Sequence, residues 1–399
     1  MTGRPRTALF LIDNVPLVLD SRVQRETGTL ARAGIAIRVI CPAAAGERWH
    51  EVVDDMEVYR YPKPALGGGL AGHLVEYVVA VIAHAALSCV VALRHGFDVV
   101  HVANPPDLLA ITMAPYKIAG KRFVFDHHDL VPELFDVRYA TRFPALTRLV
   151  RGAERTSFRL ADQVISTNDS FRRIAIERGG VRPENVTVVR NGPRLEVDFP
   201  PTEPDAEVRA RARIMVGYLG IMNDQDHLEV FLEMARVVRH DLGRTDIGFV
   251  MVGSGDAYTR LVRLRDAFGL HDAVAMPGRL PWHRVLETLA ATDVCVQPDL
   301  PTDFNRKSTM NKLMEYMALG RACVAFDMPE TRVSGGDAIV YVEDFDARAL
   351  AEAVVRLADD PAERERLGER ARRRIETELA WEHQEHHLLH VYDRIAEVA

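Results

Sequence analysis

The chain has 399 residues, 48% of them apolar and 27% charged, the mix of a soluble globular protein. At about 150 residues per domain this is two to three domains, which excludes wholesale disorder, a collagen-like fibre and a disulfide miniprotein. The 50 basic residues face 57 acidic ones, a net charge of −7, so non-specific nucleic-acid binding has no global electrostatic support.

The chain opens MTGRPR, and the apolar stretch that follows is too short before Asp13 to be a signal-peptide core. Cys41, Cys89, Cys295 and Cys323 sit in or beside apolar runs with no CxxC pair. Buried reduced thiols in a cytoplasmic protein are the expectation. Residues 7–12 read as a strand, 20–33 as a helix and 36–41 as a strand; 99–103, 123–126, 163–167 and 186–189 continue the strand series. The apolar segment 74–93 is long enough to tempt a membrane-span reading. Glu76 and His84 lie inside it, so a buried or interface-lying helix is expected, with a peripheral membrane contact as the alternative. Strands alternating with helices imply βαβ units and a parallel sheet covered on both faces.

The rhythm breaks at 193–213, PRLEVDFPPTEPDAEVRARAR, rich in Pro and acid, the best linker candidate. A second series follows, with strands at 214–219, 248–252, 274–276, 294–297, 323–326 and 339–342 and helices at 226–240, 258–268, 284–291 and 310–319. Residues 347–358, 361–378 and 381–398 read as closing helices. The expected organisation is two doubly wound α/β domains: 1–195, a linker 196–212, 213–378, and a terminal helix 379–399. Ligands of such sheets bind at the carboxyl ends of the strands, so a cleft between facing domains is the expected site.

The most informative segment is 297–327, QPDLPTDFNRKSTMNKLMEYMALGRACVAFD. Ser308 and Thr309 are good N-caps, and free amides behind them would make an anion site. Arg306, Lys307 and Lys312 add three cations, and Glu315 lies one to two turns on, where a carboxylate can accept two vicinal sugar hydroxyls. A nucleoside diphosphate suits that layout. A capped helix with solvated basic residues suits it too.

The run KLMEYMALGRACVAFD resembles the donor-site helix of family-4 retaining glycosyltransferases of the GT-B fold. Asp20–Glu26 with Leu30–Gly34 is similar to the first helix of that family's exopolysaccharide and cell-wall branch. His101–Asp107, Phe125–Leu134, Val189–Pro193, Gly217–Gly220, Val252–Gly255 and Pro277–Arg279 resemble its further motifs in order, and the Trp381 helix resembles the segment that crosses back to the first domain. The resemblance implies two Rossmann-like domains. It places Glu315 on the donor ribose and the amides around Ser308, Thr309, Met310 and Asn311 on the diphosphate. Gly278, Arg279 and Leu280 would lie by the base, with Gly253 and Ser254 on a neighbouring loop. His128 would sit at the reaction centre beside Asp129, with His127 the competing choice. Arg22 and Asn104 would line the acceptor side, together with His127 and Asp129. It also implies a nucleotide sugar and a hydroxyl acceptor as partners, no metal and no other cofactor.

Two positions depart from the pattern. Lys307 stands where many members place a Glu eight residues before the ribose-binding one. Ile221 and Asp226 stand where many carry Arg and Lys in the glycine loop after Gly220. The expectation is that Arg306, Lys307 or Lys312, with Lys312 first, neutralises the leaving diphosphate. An epimerase or phosphorylase on the same fold, or a silent nucleotide-sugar-binding module, are the competing readings. The acidic string Asp224-Gln-Asp226 and the histidines 383, 386, 387 and 390 are set aside as metal sites: three-residue acidic strings are common, and no HExxH or HxxEH accompanies the histidines.

Overall fold

The computed structural model describes residues 6–64, 70–139, 144–223 and 226–397. The opening MTGRP, Asp224 and Gln225 of the acidic string, and the last two residues lie outside them. Packing divides the chain into one unit of residues 1–191 with 384–399 and another of residues 192–383.

The first unit holds an eight-stranded sheet: β1 (Thr7–Leu11), β2 (Ala36–Pro42), β3 (His50–Val53), β4 (Met56–Tyr61), β5 (Val99–Ala103), β6 (Arg122–His127), β7 (Gln163–Ser166) and β8 (Val186–Val188). Their order is β3-β4-β2-β1-β5-β6-β7-β8. Every pairing is parallel except β3 with β4. That hairpin turns at Asp54 and Asp55, both at positive φ (48° and 61°), the backbone a tight two-residue turn demands. The sequence reading missed it because Asp-Asp replaces the usual Asn-Gly or Asp-Gly.

Residue parity sorts this sheet's two faces. Leu9, Leu11, Val100, Val102, Phe123, Phe125 and Val164 share one apolar cluster with residues of α2 (Leu70–Arg94), α3 (Leu109–Thr112), α6 (Pro144–Leu160) and α7 (Asp169–Glu177). The opposite face meets α1 (Ser21–Arg32) and α17 (Glu385–Glu397): His101 stacks on Phe10 and bonds the Tyr392 hydroxyl at 3.0 Å. The side chain of Asp20 caps α1 by accepting from the Val23 amide at 3.0 Å. Two short helices, α4 (Ala114–Ile118) and α5 (Val131–Tyr139), complete the unit.

The second unit holds an all-parallel sheet in the order β11-β10-β9-β12-β13-β14. Its strands are β9 (Ile214–Leu219), β10 (Ile247–Val252), β11 (Val274–Gly278), β12 (Val294–Gln297), β13 (Ala322–Phe326) and β14 (Val340–Val342). The helices are α8 (Leu195–Asp198), α9 (Ala206–Arg209), α10 (Glu229–Arg236), α11 (Tyr258–Ala267), α12 (Trp282–Ala290), α13 (Asn311–Ala318), α14 (Pro329–Gly335), α15 (Ala347–Asp359) and α16 (Pro361–Arg374). Buried clusters cover both sheet faces. In each unit the strand order reverses beside the first strand, between β1 and β5 and between β9 and β12, the point where open α/β sheets leave a crevice at the carboxyl ends.

Three expectations change. The 196–212 segment is packed on the second unit: Phe199 is buried edge-on to Trp282, whose indole N–H donates to the Asp198 carbonyl at 2.8 Å, and Arg209 pairs with Asp293 at 2.7 Å. Its prolines mark irregular backbone, not a free tether. Cys89 is exposed while Cys41, Cys295 and Cys323 are buried, because it lies on the outward face of α2. His383 belongs to a separate turn, with Nε2 2.8 Å from the Glu376 carbonyl oxygen; only His386, His387 and His390 share α17.

Candidate active site

In the first unit the site grows from the end of β6. Phe125 and His127 point to one face, and Asp126 points to the other. His127 is fully buried among Phe125, Phe158 and Phe171, with Nε2 3.7 Å from Glu154. It is a core histidine, which departs from its expected place on the acceptor side. His128 lies just beyond the strand and keeps 16% of its side chain exposed.

Asp126 is the hub. The Arg22 guanidinium donates to both of its carboxylate oxygens, each at 2.8 Å, and the His128 Nδ1 lies 3.0 Å from one of them. Arg22 also donates to the Val189 carbonyl at 3.1 Å and reaches Glu26 at 3.1 Å. Arg22 is only 4% exposed, so it supports the site from beneath instead of lining an acceptor surface as expected. Burial lowers the affinity of His128 for its proton, but Asp126 and Asp129 outweigh that and lift its pKa to about 9. Asp126 is itself buried, yet the two neighbouring cations hold its carboxylate far below the usual range. Behind them, burial pushes Glu26 up to about 8 and His101 down to about 4.

Glu26, His101 and Asp126 gather their ligand atoms within 4.8 Å, the one such group among the described residues. Arg22 already supplies the cation of that cluster. A metal ion there would be repelled by the guanidinium, so the set fits an ion-pair knot better than a metal site.

Asn104 uses its whole amide on the same loop. Its Oδ1 accepts from the His128 and Asp129 amides at 2.9 and 3.0 Å, and its Nδ2 donates to Asp107 and to the Asp129 carbonyl at 2.9 and 2.8 Å. Buried at 1% exposure, it holds the 128–129 loop in place; its expected contact with an acceptor is replaced by this role. Asp129 follows His128, half-buried, its pKa raised by burial.

The sign of the His128 shift gives a pH prediction. Its folded pKa is raised, so its contribution to stability is complete below about 6.5, the ordinary value, and is lost as pH rises through about 9. The imidazole should titrate near 9 when followed by NMR. Titration near 6.5 would mean that Asp126 does not hold it.

In the second unit the loops after β9, β10, β11 and β12 meet at the start of α13. The Gly220 amide donates to the Val252 carbonyl at 3.1 Å, and the Gly253 amide to the Gly278 carbonyl at 3.0 Å. Gly253 has φ +137°, and a Cβ there would overlap the Gly220 carbonyl oxygen. Gly253→Ala should therefore cost about 2–4 kcal/mol, read as a lower thermal midpoint; an unchanged midpoint would mean the two loops can part. Ser254 and Arg279 are exposed, and Gly278 and Leu280 are half-buried.

Helix α13 starts at Asn311, with Met310 as an N-cap that makes no side-chain bond. The expected capping by Ser308 is absent: it stands two residues before the N-cap, in the turn that precedes the helix, and its hydroxyl donates back to the Phe304 carbonyl at 2.9 Å. Leu313, Met314, Tyr316, Met317 and Ala318 are buried, which leaves exposed Asn311 and half-buried Lys312 and Glu315 on the opposite face. Thr309 lies just ahead of them. Arg306 donates to the Pro301 carbonyl and lies over the Phe345 ring, and Lys307 pairs with Asp303 at 2.7 Å. Both are spent on local contacts.

Lys312 alone of the three cations turns toward the glycine loops. Its ammonium lies 2.9 Å from Asp299, 3.4 Å from the Tyr218 hydroxyl and 5.0 Å from that ring's centre. Burial works against the charge, but Asp299 dominates and keeps the amine protonated well above its ordinary range. Asp299 and Tyr218 were missed in the sequence. Asp299 stands two residues beyond the end of β12, at the strand-order reversal, which is the signal that could have found it.

Residues 20–192 match the family described as "Glycosyl transferase 4-like domain", and residues 213–360 match "Glycosyl transferases group 1". Alpha-D-kanosaminyltransferase of Streptomyces kanamyceticus is 27% identical over 255 residues, 61% of this chain and 64% of that protein. A GDP-mannose-dependent monoacylated alpha-(1-6)-phosphatidylinositol monomannoside mannosyltransferase of Corynebacterium glutamicum is 31% identical over 144 residues, 35% of this chain and 37% of that protein. The matches thus span less than two thirds of either relative's length. Among solved structures, the sucrose-phosphate synthase of Thermosynechococcus elongatus shares the fold, with a TM-score of 0.78 at 17% identity over 99% of this chain and 100% of that one. With a 4-like domain in its first unit and a group 1 domain in its second, the chain belongs to the group 1 glycosyltransferases of GT-B fold.

Proposed function

We propose that the protein is a cytoplasmic glycosyltransferase that moves a hexose-type sugar from a nucleoside-diphosphate donor to a hydroxyl acceptor. The observation that carries this reading is the less buried face of α13. Asn311, Lys312 and Glu315 share it beside the glycine loops of β9 and β10. Backbone amides at the helix start and the positive end of its dipole suit a diphosphate. Glu315, one turn on, suits a ribose diol. Ser308, Thr309 and Met310 precede the helix, and Gly253, Ser254, Gly278, Arg279 and Leu280 occupy the neighbouring strand ends, where a nucleotide would lie.

In this reading the leaving diphosphate gains negative charge as the glycosidic bond breaks, and Lys312 meets it with a cation already fixed by Asp299. Within the first unit, His128, ionised at neutral pH by Asp126, is the group assigned to the reaction centre, with Asp129 beside it on the acceptor side. No carboxylate is assigned as a covalent nucleophile. The reaction proceeds by front-face substitution with retention, in which the leaving phosphate accepts the acceptor's proton and positioning supplies much of the rate. A resident metal has no role in this scheme.

The test is release of nucleoside diphosphate from a panel of nucleotide sugars and hydroxyl acceptors, with and without EDTA. Transfer that survives EDTA and yields the donor's anomer is expected. Donor consumption without any acceptor would instead mean epimerase or hydrolytic chemistry. Donor binding with no turnover would mean a binding module, a result the pairing of Lys312 with Asp299 and the departures at Lys307 and Ile221 would then explain.

A further inference from the structure

Helix α2 is apolar on both its inward and its outward face. Its buried line is Ala80, His84, Ser88 and Val91, and the polar members are satisfied there: His84 meets the Ala80 and Ile12 carbonyls at 2.8 and 3.2 Å, and Ser88 meets the Tyr116 hydroxyl at 3.1 Å. The outward line is Val75, Val78, Ile82, Ala86, Cys89 and Leu93, spaced three and four apart. Val78 is 58% exposed, Ile82 63% and Leu93 88%. At 1.5 Å per residue this apolar row runs about 27 Å. Exposed Ile111 on α3 and Ile118 on α4 widen it.

A row of cations accompanies it. Helix α6 exposes Arg148, Arg151, Arg155 and Arg159, spaced three and four apart, with Leu149 exposed beside them. Arg151 pairs with Asp136; among the described residues no carboxylate pairs with the other three. Helices α2, α3 and α6 pack into one cluster on one face of the first sheet, so the apolar and basic rows look out on the same side. At the carboxyl end of α2, Arg94 lies over the ring of exposed Trp49, 5.9 Å from its centre. A chain of net charge −7 thus carries a cationic, apolar face.

We propose that this face docks on an anionic phospholipid bilayer, with the α2 row in the outer acyl region, the α6 arginines among lipid phosphates and Trp49 at the headgroup level. Apolar burial and attraction of arginine to anionic lipid are the two contributions that hold an interfacial helix. The hydropathy of α2 would also fit a span, but its inner line is packed into the core of the unit through Ala80 and Val91, so it lies on the membrane instead of crossing it. A second copy is the poorer occupant, since a two-fold contact brings the same arginines of both copies to one interface. This inference is independent of the donor reading.

The experiment is sedimentation of the full chain with phosphatidylcholine vesicles, with and without phosphatidylglycerol, at rising salt. Binding that needs phosphatidylglycerol and weakens with salt is expected. Ile82→Asp should lower the partition by about tenfold or more, and Arg148→Gln and Arg155→Gln by about fivefold each. None of the three should move the thermal midpoint or donor binding, because these side chains face outward. No sedimentation, or sedimentation that the substitutions leave unchanged, overturns the proposal. So does a dimer in light scattering that Ile82→Asp disperses, which would assign the face to self-association.

Discussion

Replacing Asp126 by Asn should destabilise the protein by about 3–5 kcal/mol. The substitution keeps the shape and removes the one full anion between Arg22 and His128, which are both held within 3.0 Å of it. Arg22 is 4% exposed and Asp126 fully buried, so water cannot replace the lost charge. Glu26 moderates the loss. Its raised pKa rests first on burial and then on the charge of Asp126, so removing that charge lets Glu26 ionise against Arg22, and a value near the lower bound is expected. The pH dependence follows from the lowered pKa of Asp126: its contribution is present above the ordinary carboxylate value, about 3.9, and is lost as pH falls toward the depressed one. Urea unfolding of both proteins at pH 7 measures the difference. Equal midpoints would show that the knot is not a structural element.

The second large effect is on turnover. Lys312→Ala should lower kcat by about 10²–10³-fold, the range for losing one preorganised group at a developing charge, with donor affinity changed only a few-fold. Asp299→Asn should move kcat the same way by less, because Lys312 stays but loses the partner that fixes it at 2.9 Å. A loss confined to KM in both variants would make the pair a ground-state binding feature. Unchanged kcat in Lys312→Ala would remove Lys312 from the chemistry.

Much of the architecture was legible because parallel sheets covered on both faces are written as short β-branched runs between helices. The strands of the second unit lie where expected along the chain, and the residues expected on the donor side, Gly253, Ser254, Gly278, Arg279, Leu280 and Glu315, fall at strand ends or on the helix beside them. What escaped depends on direction and distance. His127 and His128 are neighbours in sequence, and only the parity of β6 decides that one is core and the other open. Arg22 reads as a surface residue on a helix; its burial follows from Asp126, 104 residues away. The start of α13 was placed too early because Ser and Thr read as N-caps, whereas Ser308 ends the turn at 303–307, donating back to Phe304, and Met310 takes the N-cap position. The outward face of α2 was hidden for another reason: an apolar run looks the same whether its apolar side faces the core or not.

The central claim is a nucleoside-diphosphate site on the face of α13 that carries Asn311, Lys312 and Glu315, and isothermal titration of the protein with a panel of nucleotide sugars tests it most directly. Saturable heat with at least one of them, weakened by about tenfold or more in Glu315→Ala through loss of a charged hydrogen bond to the ribose, is the predicted result. Absence of heat with every donor, or binding indifferent to Glu315→Ala, would contradict it.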